Sequence, residues 1–375
     1  MKIHPPRPEE IEVSLFGPGY GESVLLHVRS NNWIIVDSCI DRISKAPLPL
    51  AYLSEIGVDP AKNVKLLIAT HWHDDHIRGL SLILKECAST EFVCSAAMGS
   101  REFETLVSAY RRRSMMVSTG VKEFHEILNI LEERSNKQPP IYPRLAIADR
   151  LLWCSKSSPG ETGYSCEIHS LSPSDPSVIK SKLEIDNLIP VSGETKRRVP
   201  VIGPNHAAVV LLVRIGDDQI LLGSDLEELG DAGRGWSAII SSQTRPQGKA
   251  SFFKIPHHGS ANADHPEIWL RLLEPEPLSV LTPFSVGNVV LPTRGDATRI
   301  CNNTTNAFST GVPGHKITKG RDPMVEKQLR EMGQKIRQVP FQMGQVRARG
   351  SQVNGKISWR VELLRGALPL KEVHR

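Results

Sequence analysis

The sequence predicts a mixed α/β fold built from layered sheets, and three observations carry that expectation. Between residues 11 and 39 the apolar runs IEVSLF, VLLHV and NNWIIVDSC are punctuated by GPGYGES, which reads as a β-meander. The run VKLLIAT at 64–70 is of buried-strand type, and Leu80, Ile83 and Leu84 then recur at helical spacing. A second strand-rich block passes through RLAIADRLLWC, CEIHSLSP, HAAVVLLVRIGDDQILLGSD and ASFFKIPHHGS.

Taken in order, LAYLSEIGV at 50–58 has helical spacing and ends at a glycine. Helical spacing resumes near Ile77, so the polar stretch before it is expected on a strand-to-helix loop. Residues 100–135 are charged and helix-forming, and 100–150 as a whole reads as a helical insertion within one domain spanning 1–375. A polar stretch occupies 175–205, and LSVLTPFSV at 278–286 is a further strand candidate. The segment 301–375 closes the fold with a helix, PMVEKQLREMGQKI, and a hairpin turning at Asn354-Gly355.

The chain has 375 residues, 39% of them hydrophobic, enough for a substantial buried core. Its first residues, MKIHPPRPEEIEV, lack the apolar run of a secretory leader, and no apolar stretch nears the ~20 residues of a membrane span. Six scattered cysteines without C-x2-C spacing argue against a disulfide framework or a thiolate metal site, so reduced thiols in the cytoplasm are expected. A net charge of +5 is a mild excess that suits an anionic partner.

The chemistry concentrates in THWHDDHIRG at 70–79, which sets three histidines and two aspartates within six positions. Imidazole nitrogen and carboxylate oxygen are the donors that zinc and similar divalent ions take, and a strand-end loop lets them converge. A solvated polar loop does not account for so dense a cluster. Two more polar groups stand at ends of apolar strands: Asp225 in ILLGSDLEE and His257-His258 in FFKIPHHGS. Alone, each would pass as turn chemistry. Together they mark strand ends, where layered sheet folds gather their sites.

At His71, His73, Asp75 and His76 the chain matches H-x-H-x-D-H and resembles the metallo-β-lactamase superfamily. GYGESVLLHV is similar to the G-x-G-D-S opening of the hydrolase domain in ComEC-type competence proteins and their free-standing relatives. IIVDSC, ILLGSDLEE and KIPHHGS resemble further motifs of that group, in the same order, across residues 11–300. The resemblance implies a four-layer αββα sandwich with two zinc ions at one edge, manganese being the alternative. It assigns one ion to His71, His73 and a third ligand at Asn205 or His206, and the other to Asp75, His76 and a tandem histidine. His206 is preferred to Asn205 because imidazole is the better zinc donor, and His258 is preferred to His257 because it abuts Gly-Ser. Asp225 is implied as the bridge, Asp37 as a support that orients the loop, and Asp75 and His257 as catalytic residues.

Two zinc ions sharing a water would lower its pKa toward ~7, so the resemblance implies hydrolysis, with a phosphodiester such as nucleic acid or a nucleotide as the leading substrate. A lactam, lactone or thioester is the alternative, as is a metal-holding subunit that meets a protein partner through the helical insertion. One departure is Leu291-Pro292-Thr293, where ComEC-type chains tend to carry His-Pro; His265 and His315 are substitutes as proton donor. The basic runs YRRR (110–113) and TKRR (195–198) could steer a polyanion, although solvated faces explain them as well. Aromatic residues make up only 5% and do not interleave with basic ones.

Overall fold

The computed structural model describes residues 4–19, 21–41, 43–111, 119–135, 142–155, 165–189, 204–314, 323–333, 343–353 and 355–374. Strands β1 (Ile11–Gly19), β2 (Gly21–Val28) and β3 (Trp33–Val36) form the expected antiparallel meander. Helices α1 (Leu48–Glu55) and α2 (Pro60–Asn63) lead to β4 (Val64–Ala69), which pairs parallel with β3. After α3 (Asp74–Ile77) and α4 (Leu80–Glu86) comes β5 (Glu91–Ser95), then α5 (Arg101–Arg111), α6 (Thr119–Ser135) and β6 (Arg144–Ala146).

The second half begins with β7 (Arg150–Ser155), β8 (Cys166–Ser170), α7 (Asp175–Asp186), β9 (Leu211–Ile215) and β10 (Asp218–Leu222). It continues through α8 (Gly235–Ser241), β11 (Ala250–Lys254), β12 (Leu273–Leu281), β13 (Phe284–Val286) and β14 (Val289–Leu291). It ends with α9 (Arg294–Cys301), β15 (Ala307–Ser309), α10 (Pro323–Glu331), β16 (Gly344–Val353), β17 (Lys356–Leu364) and β18 (Leu368–Pro369).

The strands assemble into two eight-stranded sheets, ordered β17-β16-β1-β2-β3-β4-β5-β6 and β18-β15-β12-β11-β10-β9-β8-β7. Alternation along each strand explains the stacking. Ile11, Val13 and Leu15 of β1 face Leu211 and Val213 of β9 in a core between the sheets, together with Leu66, Ile68, Ile220 and Leu222. The intervening residues Leu25, Ile35 and Leu67 turn outward onto α1, α4, α5 and α6, through Leu53, Leu84, Phe103 and Phe124. On the far side, Leu221 and Phe253 meet Trp236 and Ile240 of α8 and Ile300 of α9. The result is the αββα order. Burial on both faces is why these strands read as unbroken apolar runs.

Four sequence expectations need adjustment. The polar stretch 175–205 opens with α7, started by Pro176 behind Ser174 at its amino end. The expected strand 278–286 breaks at Thr282-Pro283, because a prolyl nitrogen cannot extend the ladder; β12 stays in its sheet and β13 leaves to pair only with β14. The helix carrying Leu80, Ile83 and Leu84 begins at Leu80 rather than near Ile77, and a separate turn, α3, covers Asp74–Ile77, so part of the histidine motif is helical. The helical part of 100–150 ends at Ser135, and β6 within that span is an edge strand of the first sheet. Arg112, Arg113, the 195–198 run, His315 and Asn354 lie outside the described residues, although Val353 pairs with Lys356 as a two-residue hairpin turn requires.

One buried charge ties the closing hairpin to the rest. Glu12, with no exposure, accepts hydrogen bonds from Tyr52 Oη and Ser14 Oγ at 2.8 Å each and from Arg349 Nε at 2.8 Å. Strand β1, helix α1 and strand β16 thus meet on one carboxylate. Removing it strands the Arg349 guanidinium and a buried phenol. Glu12→Ala should therefore lower unfolding stability by about 3 kcal/mol, seen as a lower urea midpoint at unchanged slope.

Candidate metal centre

The motif side chains project from loops at the carboxyl ends of strands in both sheets. His71, His73, Asp75 and His76 follow β4, Asp37 follows β3, Asp225 follows β10, and His258 follows β11. Several of these strand ends turn through the left-handed region: Asp37 at φ 59°, Ser224 at 46°, His257 at 45° and His258 at 55°. Such backbone costs on the order of 1–2 kcal/mol per non-glycine residue and persists where surrounding contacts dictate it. Gly21, at φ 107°, permits the closest approach: a Cβ there would lie 1.7 Å from the carbonyl oxygen of Asp75. That is the structural meaning of the glycine in GYGES.

Asp37 organises the first-sheet half. Its carboxylate accepts from Thr70 N at 2.8 Å, Thr70 Oγ1 at 2.7 Å and His76 Nδ1 at 2.8 Å. Because the Thr70 hydroxyl spends its single proton on Asp37, its 3.0 Å contact with His71 Nδ1 makes that ring nitrogen the donor. His258 Nδ1 likewise donates to the carbonyl oxygen of Thr282 at 2.9 Å. Three imidazoles are therefore held through Nδ1, and each turns Nε2 inward. The Nε2 atoms of His71, His73, His76 and His258 and Oδ1 of Asp225 are buried and lack a hydrogen-bond partner.

These orphaned acceptors converge. One ligand atom each from Asp75, His76, Asp225 and His258 lie within 4.8 Å of one another, and Asp225 Oδ2 stands 3.3 Å from His76 Nε2 and 3.5 Å from His258 Nε2. Asp75 Oδ2 is 3.6 Å from His258 Nε2. The His71 ring lies 4.2 Å from His76 and 5.0 Å from His73, centroid to centroid. Asp37 also groups with His71 and His76, but its accepted hydrogen bonds make it their support. A buried cluster of imidazole nitrogens and carboxylates, four of those nitrogens without a hydrogen-bond partner, is what a divalent cation fits.

The electrostatics agree with that fit. Burial opposes charge on His76, yet Asp225 and Asp37 outweigh it and raise its pKa well above the usual value. His258 is likewise raised against burial by Asp225 and Asp75. Asp225 is held well below the usual carboxylate range despite burial, by His76, His258 and Lys254. His71 is depressed well below the usual value by burial and by His76 and His73, which outweigh Asp225 and Asp75. The acids draw protons onto the nearest imidazoles in the position where a metal ion would stand.

The structure brings together His71, His73, Asp75, His76, Asp225 and His258, with Asp37 behind them. The other expected residues, His206, Asn205 and His257, have neighbours of their own. His206 Nε2 lies 3.4 Å from Glu184 Oε2 on α7. Asn205 Nδ2 donates to Glu227 Oε1 at 3.1 Å and stands 3.3 Å from His257 Nε2. His257 itself points to Asn262 Oδ1 at 3.1 Å and Glu227 Oε1 at 3.4 Å, at the partly exposed rim. Of the substitute proton donors, His265 is occupied by the backbone N–H of Glu267.

Sequence reasoning missed Glu22 and Lys254. The Lys254 ammonium is 1% exposed, pairs with Glu22 Oε1, donates to the carbonyl oxygen of Ser224 at 2.8 Å and stands 3.7 Å from Asp225 Oδ1. Burial opposes its charge, but Glu22 and Asp225 raise its pKa. The signal was a lone lysine inside the apolar run FFKI and an acid in GES. The helical segment also bears on the site: Gly120 N, at the start of α6, donates to Asp74 Oδ1 at 2.5 Å, and Trp72 packs on Phe103 of α5 at 5.9 Å.

Two stacked sheets flanked by helices, with histidines and aspartates converging from both sheets at one edge, define a layered α/β fold with a candidate metal centre. The sequence profile of the metallo-beta-lactamase superfamily matches residues 16–268, and the chain belongs to that superfamily. A metallo-beta-lactamase from Cronobacter sakazakii is 14% identical, with a TM-score of 0.29 over 62% of this chain and 64% of its own. A metallo-beta-lactamase family protein from Thermus thermophilus is 14% identical, with a TM-score of 0.30 over 60% and 62%. The chain thus spans less than two thirds of the length of either structure. No curated protein matches it. Among the described residues no helix is long and apolar enough to cross a membrane.

Asp37 offers a test of the supporting shell. Asp37→Ala should weaken zinc affinity by roughly 10–100-fold, because it frees the His76 ring and the Thr70 hydroxyl that holds His71. Competition titration with a chromogenic chelator measures the change.

Proposed function

We propose that the protein is a dinuclear zinc-dependent phosphodiesterase of the ComEC-like type, acting on an anionic substrate such as a nucleotide or nucleic acid in a reducing cytoplasmic compartment. The observation that carries the reading is Asp225, whose carboxylate lies between His76 Nε2 and His258 Nε2 and is backed by the buried Lys254 ammonium. A hard oxygen donor between two imidazole groups suits paired cations facing a phosphate. The net charge of +5 favours an anionic partner, and no disulfide joins the described cysteines.

His71 and His73 would hold one ion, Asp75, His76 and His258 the other, with Asp225 between them. Bound there, the cations supply Lewis acidity and a water of lowered pKa. The chain's own residues do the remaining work. Asp37, Thr70 and the carbonyl of Thr282 fix the ring orientations. Lys254 and Glu22 hold Asp225 and back the His258 ring. His257, with Glu227 and Asn262 against Nδ1 and Asn205 against Nε2, is the proposed second catalytic residue beside Asp75.

A bis-aryl phosphodiester should be hydrolysed by protein carrying about two zinc ions per chain, with turnover lost on chelation and restored by zinc or manganese. Asp75→Ala should remove turnover while circular dichroism stays unchanged. Cleavage of lactam or thioester chromogens alone, or at most one ion by elemental analysis after zinc loading, would overturn the proposal.

The third ligand of the first ion is proposed to be His206, a buried imidazole whose Nε2 has Glu184 Oε2 3.4 Å away, because imidazole is the better zinc donor. His206→Ala should cost one ion per chain, whereas Asn205→Ala should leave metal content intact and disturb His257. The reverse result in elemental analysis would move the ligand to Asn205.

A further inference from the structure

The hairpin of β13 and β14 leaves the second sheet directly beside the metal centre. Its first residue, Phe284, lies against His258, with ring centroids 5.0 Å apart and planes 22° from parallel. Strand register sets the direction of every other side chain in the hairpin. Phe284 pairs with Leu291, Ser285 with Val290, and Val286 with Val289 across the turn at Gly287, where φ is 61°. Residues directly opposite share a face, and faces alternate along each strand. Phe284, Leu291, Val286 and Val289 therefore form one apolar face, and Ser285 and Val290 lie on the other. The inner end of that face is stacked on a proposed metal ligand. Its outer end is bare: Val286 is 63% exposed and Val289 53%.

Two adjacent exposed valines are costly to keep at a turn tip, where polar residues are usual. Their face begins at Phe284, which stacks on the ring of His258. We infer that the hairpin at 284–291 is a substrate wall, with Val286 and Val289 packing against an apolar group attached to the scissile phosphate. On this reading, which rests on the proposed phosphodiesterase activity, the preferred substrates are diesters bearing a planar aryl or nucleobase group. Small alkyl diesters lie outside the preference. Anchoring through Phe284 places the wall on the His258 side of the site.

The test compares equilibrium binding of diphenylphosphinate and dimethylphosphinate, whose P–C bonds a phosphodiesterase does not cleave, to the zinc-loaded protein by calorimetry, together with turnover of diphenyl and dimethyl phosphate followed by release of phenol and methanol. Wild type should bind the aryl ligand more tightly by about tenfold, the worth of some 60 Å² of apolar contact. Val286→Ser with Val289→Ser should abolish most of that preference, raising KM for the aryl diester while kcat, zinc content and dimethylphosphinate binding hold. Val290→Ser, the same chemical change on the opposite face, should leave the preference intact. A preference unchanged in the double variant, or lost equally in Val290→Ser, overturns the wall while diester turnover still supports the phosphodiesterase reading. Absence of both phosphinate binding and diester turnover in zinc-loaded wild type overturns the two together.

Discussion

The site depends on one carboxylate that need not touch substrate. Asp37, in left-handed backbone at the end of β3, accepts from the Thr70 backbone, the Thr70 hydroxyl and His76. The first bond fixes the end of β4, the second fixes the donor role of His71 Nδ1, and the third fixes the ring of His76. A single charge thereby decides which nitrogen of His71 and of His76 carries the proton and which faces the site. The desolvated lone pairs are stable only in company with a cation or with protons, and Asp37 determines where both can sit.

A similar economy governs the second sheet. Asp225 is aimed by the strained turn at Ser224 and countered by Lys254, whose own burial is offset by Glu22 from β2. The chain from Glu22 through Lys254 to Asp225 crosses the interface between the sheets beneath the metal centre. The interior there is polar but paired, which a layered fold needs if charge is to stand close to its core.

Much of this was legible in the sequence because strands buried on two faces leave continuous apolar runs, and HWHDDH is too dense in ligand types to pass as a loop. The strand ends at Asp37, Asp225 and His258 could be read for the same reason. Other parts resisted for physical causes. Helix α3 is made of DDHI and carries no apolar period, and α7 was hidden in a stretch that reads as polar. Lys254 looks like a stray charge until Glu22, far away in the chain, is brought against it. The departure of β13 from its sheet turns on the single residue Pro283, which composition and periodicity do not weigh.

The division of the ligands between the two sheets has a mechanical consequence. His71, His73, Asp75 and His76 hang from one sheet and Asp225 and His258 from the other, with an apolar interface between them. A cation shared by both groups would act as a rivet, adding its binding free energy to the adhesion of the sheets. Heat resistance would then follow free zinc in the surroundings, and scarcity of the ion would loosen the sandwich from that edge inward.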